Sequence, residues 1–253
     1  MATTHARGPR GVDRALPVGL RGLMSEDIAE RRFRWLLQQR RYCYWPEAEL
    51  GKVITLRRTR PDFFVRTPAD GEMLVEVESF AKPTVLKTMV ARVFSLDAMS
   101  LQKRINRVVC KAADQLEPYS VMHIPLVVAL DNWRQVGLSL GPSDLIQIFG
   151  LVEVTGMFDP STGESGKFRW ALGDDSPLGE GRRTHVSAVA AVFPESRDID
   201  DDFSTERPMY TRVVHNPFAA VPLPRSVFGS EKDKHIVREG GVWKEIVGGP
   251  RGK

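Results

Sequence analysis

Three carboxylates stand on two short segments that otherwise read as buried β-structure. In residues 60–79, RPDFFVRTPADGEMLVEVES, Asp62 heads an apolar run, and Glu76 and Glu78 interrupt a second one. Side chains alternate along a strand, so Glu76 and Glu78 share one face while Val75 and Val77 take the other. The dipeptide Asp70-Gly71 between the segments signals a hairpin. Antiparallel pairing across that turn brings Asp62 within reach of Glu76. Carboxylates held this close repel unless they are protonated or bridged by a cation. Hard oxygen ligands in a partly open site suit Mg2+ or Mn2+, which keep several waters and take one or two carboxylates. Such an ion polarises a phosphodiester, stabilises the charge of its transition state and lowers the pKa of an attacking water.

Elements that position these acids are legible on either side. SEDIAERRFRWLLQQRRY opens with Ser25 as N-cap and Glu26 and Asp27 in the first turn, and Ile28, Phe33, Leu36 and Leu37 form one apolar helical face. KVITLRR, PDFFVR and MLVEVESF then read as three strands. Residues 99–117 make a second amphipathic helix, with Leu101, Ile105, Val108, Val109, Ala112 and Leu116 on its apolar face. HIPLVVALDN has the continuous apolar character of a central strand buried on both faces. Helix, three strands, helix, strand predicts an α/β layer with a mixed sheet. Beyond residue 132, PSDLIQIFG reads as a short helix, VEVTGMF and GKFRWAL as a hairpin, and HVSAVAAVF and MYTRVVHN as strands around an acidic loop at 195–206. This β-rich extension, residues 133–247, either continues the sheet or adds a small lobe. Residues 1–24, rich in Gly, Pro and Arg, read as a flexible basic arm, and 248–253 as a disordered tail.

Pro61-Asp62 with Glu76-Val77-Glu78 starting fourteen positions after Asp62 resembles the PD-(D/E)XK superfamily of restriction-endonuclease-like nucleases, and the order of elements over residues 25–132 is similar to that family's core. The resemblance implies a metal-dependent nuclease in which Asp62 and Glu76 hold Mg2+ or Mn2+. It also implies that Glu30 in the first helix lies near the metal through water. Two positions after the second acid the family usually carries a lysine, and here that position is Glu78. Glu78 then acts as general base or further ligand, or marks lost activity. In a third arrangement the missing cation comes from the following helix, where Lys103 and Lys111 are available, and Gln115 sits where related helices often carry a polar residue toward the site. Nucleic acid, with DNA first, is the implied substrate, and a homodimer suits a family whose paired sites cut two strands. The rival expectation is a non-catalytic scaffold of the same fold that binds nucleic acid or protein.

Charge distribution fits a polyanionic partner. The net charge is +4, but residues 1–60 carry 13 Lys/Arg against 6 Asp/Glu, a net of +7, so the remainder nets −3. Arg40, Arg41, Arg57, Arg58 and Arg60 are the candidate phosphate contacts. Trp35, Tyr42, Tyr44 and Trp45 beside Arg40 and Arg41 suggest either base stacking or the edge of a core. Each site residue has a simpler reading too. Asp62 caps amides after Pro61, Glu30 pairs with Arg34 at i,i+4, and Lys111 and Gln115 are helix-surface residues. Cys43 and Cys110 lack metal-type spacing and suggest a reducing cytoplasm. No run of 18 apolar residues occurs, so no membrane span is expected. His123, His185 and His215 form no local metal motif, and there is no Gly-rich phosphate loop or nucleophile elbow.

Overall fold

Strand β4 (Leu126–Asp131) is buried at every residue, as its unbroken apolar run requires, and the sheet grows outward from it. The computed structural model describes residues 28–68, 71–80, 98–131, 140–150, 152–155, 169–172, 176–194 and 208–248, with 98–101, 152–155 and 169–172 described by backbone alone. The arm 1–24, the cap Ser25, Asp70 of the hairpin turn, the acidic loop 195–206 and the tail 249–253 lie outside the described residues. On one side of β4 lie β3 (Glu72–Ser79), β2 (Phe63–Arg66) and β1 (Cys43–Pro46). On the other lie β7 (Val186–Pro194), β8 (Met209–His215), β9 (Lys234–Glu239) and β10 (Val242–Val247). These eight strands form one mixed sheet in the order β1-β2-β3-β4-β7-β8-β9-β10. Strands β3, β4 and β7 run parallel, and β1-β2-β3 is an antiparallel meander. β5 (Val152–Thr155) and β6 (Arg169–Leu172) pair as the expected hairpin, in a separate two-stranded sheet.

Period-two alternation divides the core into two layers. Helix α2 (Ala98–Leu116) lays Ile105, Val109, Ala112 and Leu116 against Phe64, Leu74, Val128 and Leu130. Helix α1 (Ile28–Gln39) lays Phe33, Leu36 and Leu37 against Phe63, Val65, Val75, Val127 and Ala129. α1 stops in a Schellman turn, with Arg41 at φ 56° and Tyr42 N–H donating to Leu37 O at 3.0 Å. The short helix α3 (Pro142–Ile146) closes the α2 layer through Leu145. Among the described residues no helix is long and apolar enough to cross a membrane.

The first strand differs from expectation. KVITLRR is not a strand: β1 is formed earlier, by Cys43–Pro46, and occupies the edge of β2 with Tyr44 opposite Val65 and Trp45 opposite Phe64. A 3-10 turn (Glu47–Lys52) follows, and Leu50 O accepts from both Val53 N–H and Ile54 N–H, so the chain bonds locally and packs Val53, Ile54 and Leu56 on the α2 layer. The segment is then anchored to the end of α2. Tyr119 Oη accepts from Arg57 N–H at 3.0 Å and donates to Thr59 O at 2.6 Å, and Thr59 Oγ1 donates to Gln115 O at 2.6 Å. Strands β9 and β10 had no counterpart in the sequence reading, and with β7 and β8 they show that the extension continues the main sheet.

Arg40, one of the expected phosphate contacts, is paired with a buried carboxylate. Its Nε and Nη2 donate to Asp233 Oδ2 and Oδ1 at 3.1 and 3.0 Å, and Nη2 also donates to Met209 O. Asp233 is fully buried and accepts further bonds from Thr211 N–H and Ser230 N–H. The pair latches the end of α1 to β8 and β9, and removing one partner leaves a buried charge uncompensated. Arg40→Met is therefore expected to destabilise the fold by about 3 kcal/mol, against less than about 0.5 kcal/mol for a substitution at an exposed site such as Arg41→Ala. Chemical denaturation of both variants checks this, and equal midpoints would show that the latch carries no stability.

Candidate functional site

Asp62 lies one residue before β2, and the register Phe63 opposite Val75 carries it opposite Glu76. Its Oδ2 accepts a hydrogen bond from Val77 N–H at 2.6 Å, so the side chain continues the ladder where the backbone of β2 has not begun. The amide-capping role expected of Asp62 is thus present, and its partner is the strand that carries the other two acids. By alternation Asp62, Glu76 and Glu78 all face the α2 layer, on the side of Phe64 and Leu74. Glu76 is only 4% exposed, and its Oε2 is buried with no hydrogen-bond partner. A buried carboxylate oxygen without a donor is costly in its ionised form.

The electrostatics follow from that placement. Burial, then the charges of Asp62 and Glu78, push the Glu76 carboxyl up to about 9. Burial also raises Asp62, to about 6, although the bond from Val77 N–H pulls the other way. The charge of Asp62 thus favours the proton on Glu76, as a neighbouring carboxylate does without a cation between them. Glu78, 12% exposed, meets Lys111 from α2: Nζ lies 2.6 Å from Oε1. Lys111 is itself 66% exposed, and its pKa is raised first by that bond and then by the charges of Glu78, Glu76 and Asp62. It is therefore held as a cation beside the acids.

Of the two lysines considered, Lys111 is the one brought to the acids. Lys103 is exposed two turns earlier on α2 and takes no part in their electrostatics. Gln115, one turn beyond Lys111, keeps its Oε1 buried and without a donor. Glu30, in the first turn of α1, acts on Glu76 more weakly than the other charges do. The α1 helix packs on the opposite layer, so Glu30 is a peripheral member of the group. Arg57, Arg58 and Arg60 are exposed on the loop that leads into Asp62, and Arg41 is exposed beyond α1.

A fourth acid escaped the sequence reading. Pro46 pairs with Phe63, so one step further places Glu47 opposite Asp62, and the charge of Glu47 raises Asp62 more than that of Glu78 does. Finding it required the true position of β1, which the apolar run at 52–58 obscured. The aromatic residues near Arg40 are core edge: Tyr44 packs on Phe63 at 6.1 Å and Trp45 on Phe64 at 5.6 Å. The histidines serve the core as well. His215 Nε2 lies 2.8 Å from His235 Nδ1, and burial lowers both, His215 to about 3. His185 Nε2 bonds Ala113 O at 2.9 Å.

Among the described residues no group of three or more His, Cys, Asp or Glu side chains is arranged to hold a metal ion. The donor set nonetheless fits a hard divalent cation on one observation, the undonated Glu76 Oε2 beside Asp62. Mg2+ needs only one or two carboxylates and completes its octahedron with water. Compared with models of known protein families, with curated proteins and with solved structures, the chain matches none.

The raised Glu76 carboxyl makes a signed prediction. Its folded pKa, about 9, exceeds its ordinary 4.5, so the folded state holds the extra proton between those values and loses stability as pH rises through them. Without divalent cations, Glu76→Gln is expected to unfold at higher temperature than wild type at pH 8, with a gain of roughly 1–3 kcal/mol that vanishes near pH 4. Thermal unfolding in EDTA at both pH values measures it. A less stable variant at pH 8 would mean that the carboxylate is well satisfied.

Proposed function

We propose that this protein is a metal-dependent nuclease of the PD-(D/E)XK kind, hydrolysing phosphodiester bonds of nucleic acid, with DNA the favoured substrate. The observation that carries the reading is the buried, undonated Glu76 Oε2 set beside Asp62 on paired strands, with the ammonium of Lys111 supplied from the following helix. The order α1, β1, β2, β3, α2, β4 with acids at the start of β2 and within β3 agrees with that family's pattern.

Asp62 and Glu76 would hold Mg2+ or Mn2+, which supplies a polarised phosphodiester and a more acidic water. Glu78, the more open of the two β3 acids, would be the group to accept a proton from the attacking water. Lys111, held protonated by the surrounding carboxylates, faces the charge that grows on the phosphoryl oxygens. The position of the family lysine is thus filled by an acid, and its charge arrives from α2. Arg57, Arg58 and Arg60, anchored through Tyr119 just ahead of Asp62, grip the phosphate backbone.

A second reading, a non-catalytic scaffold that binds nucleic acid or protein, draws on the same ion pair. Lys111 and Glu78 close on each other at 2.6 Å, an arrangement that neutralises the base. Mn2+ calorimetry followed by a nuclease assay separates the two. Saturable Mn2+ binding is expected in the wild type and is lost in Asp62→Asn/Glu76→Gln. Cleavage of DNA should fall at least about 100-fold in Lys111→Ala, the scale of a lost charge-stabilising or proton-transfer group. A folded wild type that neither binds Mn2+ nor cuts DNA or RNA would favour the scaffold.

A further inference from the structure

The row of acids across the sheet is longer than the motif that first drew attention to it. Glu47, Asp62 and Glu76 occupy successive strands β1, β2 and β3 at one level, because Pro46 opposes Phe63 and Phe63 opposes Val75. Neighbouring side chains fix the faces. Trp45 packs on Phe64 in the α2 layer, while Tyr44 packs on Phe63 in the other. Alternation then returns Glu47 to the face of Trp45, the face that Asp62 and Glu76 share. At the inner end of the row stands Glu76, 4% exposed with an undonated oxygen. At the outer end Glu47 is exposed at the start of the 3-10 turn and is held by the edge pairing of β1.

We infer that Glu47 is the outer carboxylate of the divalent-cation site, engaging the hydration shell of an ion whose inner ligands are Asp62 and Glu76. This rests on the metal-centre reading above and assigns it a residue outside the Pro-Asp and Glu-x-Glu motif. An ion held by one or two carboxylates retains several waters, and those waters need acceptors on the open side. Glu78, bonded to Lys111 through Oε1, is already assigned to the attacking water and not to the open side of the row. Glu49, two residues on, is committed to Lys52 at 2.8 Å and takes no part in the electrostatics of Asp62. Glu47 is thus the solvent-side acid next to Asp62 left to orient coordinated water. It is a positioning residue, since it acts through water and Asp62.

The contrast between Glu47 and Glu49 supplies the test. Mn2+ is titrated calorimetrically into full-length wild type, Glu47→Gln and Glu49→Gln at fixed ionic strength, with the metal-free unfolding temperature of each recorded. Loss of an outer-sphere partner is expected to weaken Mn2+ affinity roughly tenfold in Glu47→Gln. Glu49→Gln should stay within about twofold of wild type, because an exposed charge in a surface pair is largely screened. Unfolding temperatures without metal should be unchanged or slightly raised in Glu47→Gln, since one repulsion on Asp62 is removed. Wild-type binding with equal affinity in both variants would overturn the role of Glu47 and leave the Asp62–Glu76 centre standing. Equal weakening in both would reduce Glu47 to a general charge effect. No binding to wild type would overturn the centre and the outer carboxylate together.

Discussion

A carboxylate placed inside the sheet without a donor is the constraint around which the rest of the site is organised. Ionising Glu76 where it stands requires removing a charge from water with nothing on Oε2 in return, a penalty of several kcal/mol per ion. The protein reduces that penalty by leaving the proton on, and the neighbouring Asp62 and Glu78 make protonation easier still. A group held this way is poised. A cation of charge two entering the space would invert the local preference and draw protons off both acids. A geometry unfavourable without a cation would become favourable with one.

The sheet makes the placement rigid. Glu76 and Glu78 ride on β3 where it pairs with the parallel β4, opposite Val128 and Leu130, while β2 pairs β3 only as far as Val75. Asp62 is tied to the same strand by its bond from Val77 N–H. The parity of β4 also keeps competing charges apart. Asp131 falls on the α1 side, where it meets Arg32 at 3.1 Å, whereas the acids of β3 face α2. Lys111 arrives with α2, whose apolar stripe of Ile105, Val109, Ala112 and Leu116 fixes the helix's rotation and so which polar residues overlook the acids.

The basic residues sort by the same logic of burial. Arg40 lies where the end of α1 meets Met209 of β8 and the turn before β9, and it is taken up by the fully buried Asp233. Arg57, Arg58 and Arg60 are exposed, and the bonds from their loop to Tyr119 and Gln115 are made by Arg57 N–H, Thr59 O and the Thr59 hydroxyl. A loop anchored this way, with its guanidinium groups exposed, would suit the phosphate contacts of the proposed nuclease.

Residues close in sequence were readable from the sequence itself. Asp62 and Glu76 are linked by a hairpin, and hairpin register follows from turn chemistry and period-two alternation, so their meeting needed no knowledge of the rest of the chain. The apolar periods of α1, α2 and β4, and the strands at 186–194 and 209–215, were equally local properties. The misplacement of β1 shows where that reasoning ends. KVITLRR has more β-forming residues than CYWP, yet the edge of β2 is taken by the segment whose aromatics pack on Phe63 and Phe64. With β1 misplaced, Glu47 was invisible. Likewise Lys111 stood equal to Lys103, and Arg40 to Arg41, until the packing of α2 and the buried Asp233 separated them. Sequence alone determined which acids share a hairpin, because that is decided over a few residues. Tertiary structure decided which charges those acids meet, because edge pairing, helix rotation and burial are set by contacts between segments far apart in the chain.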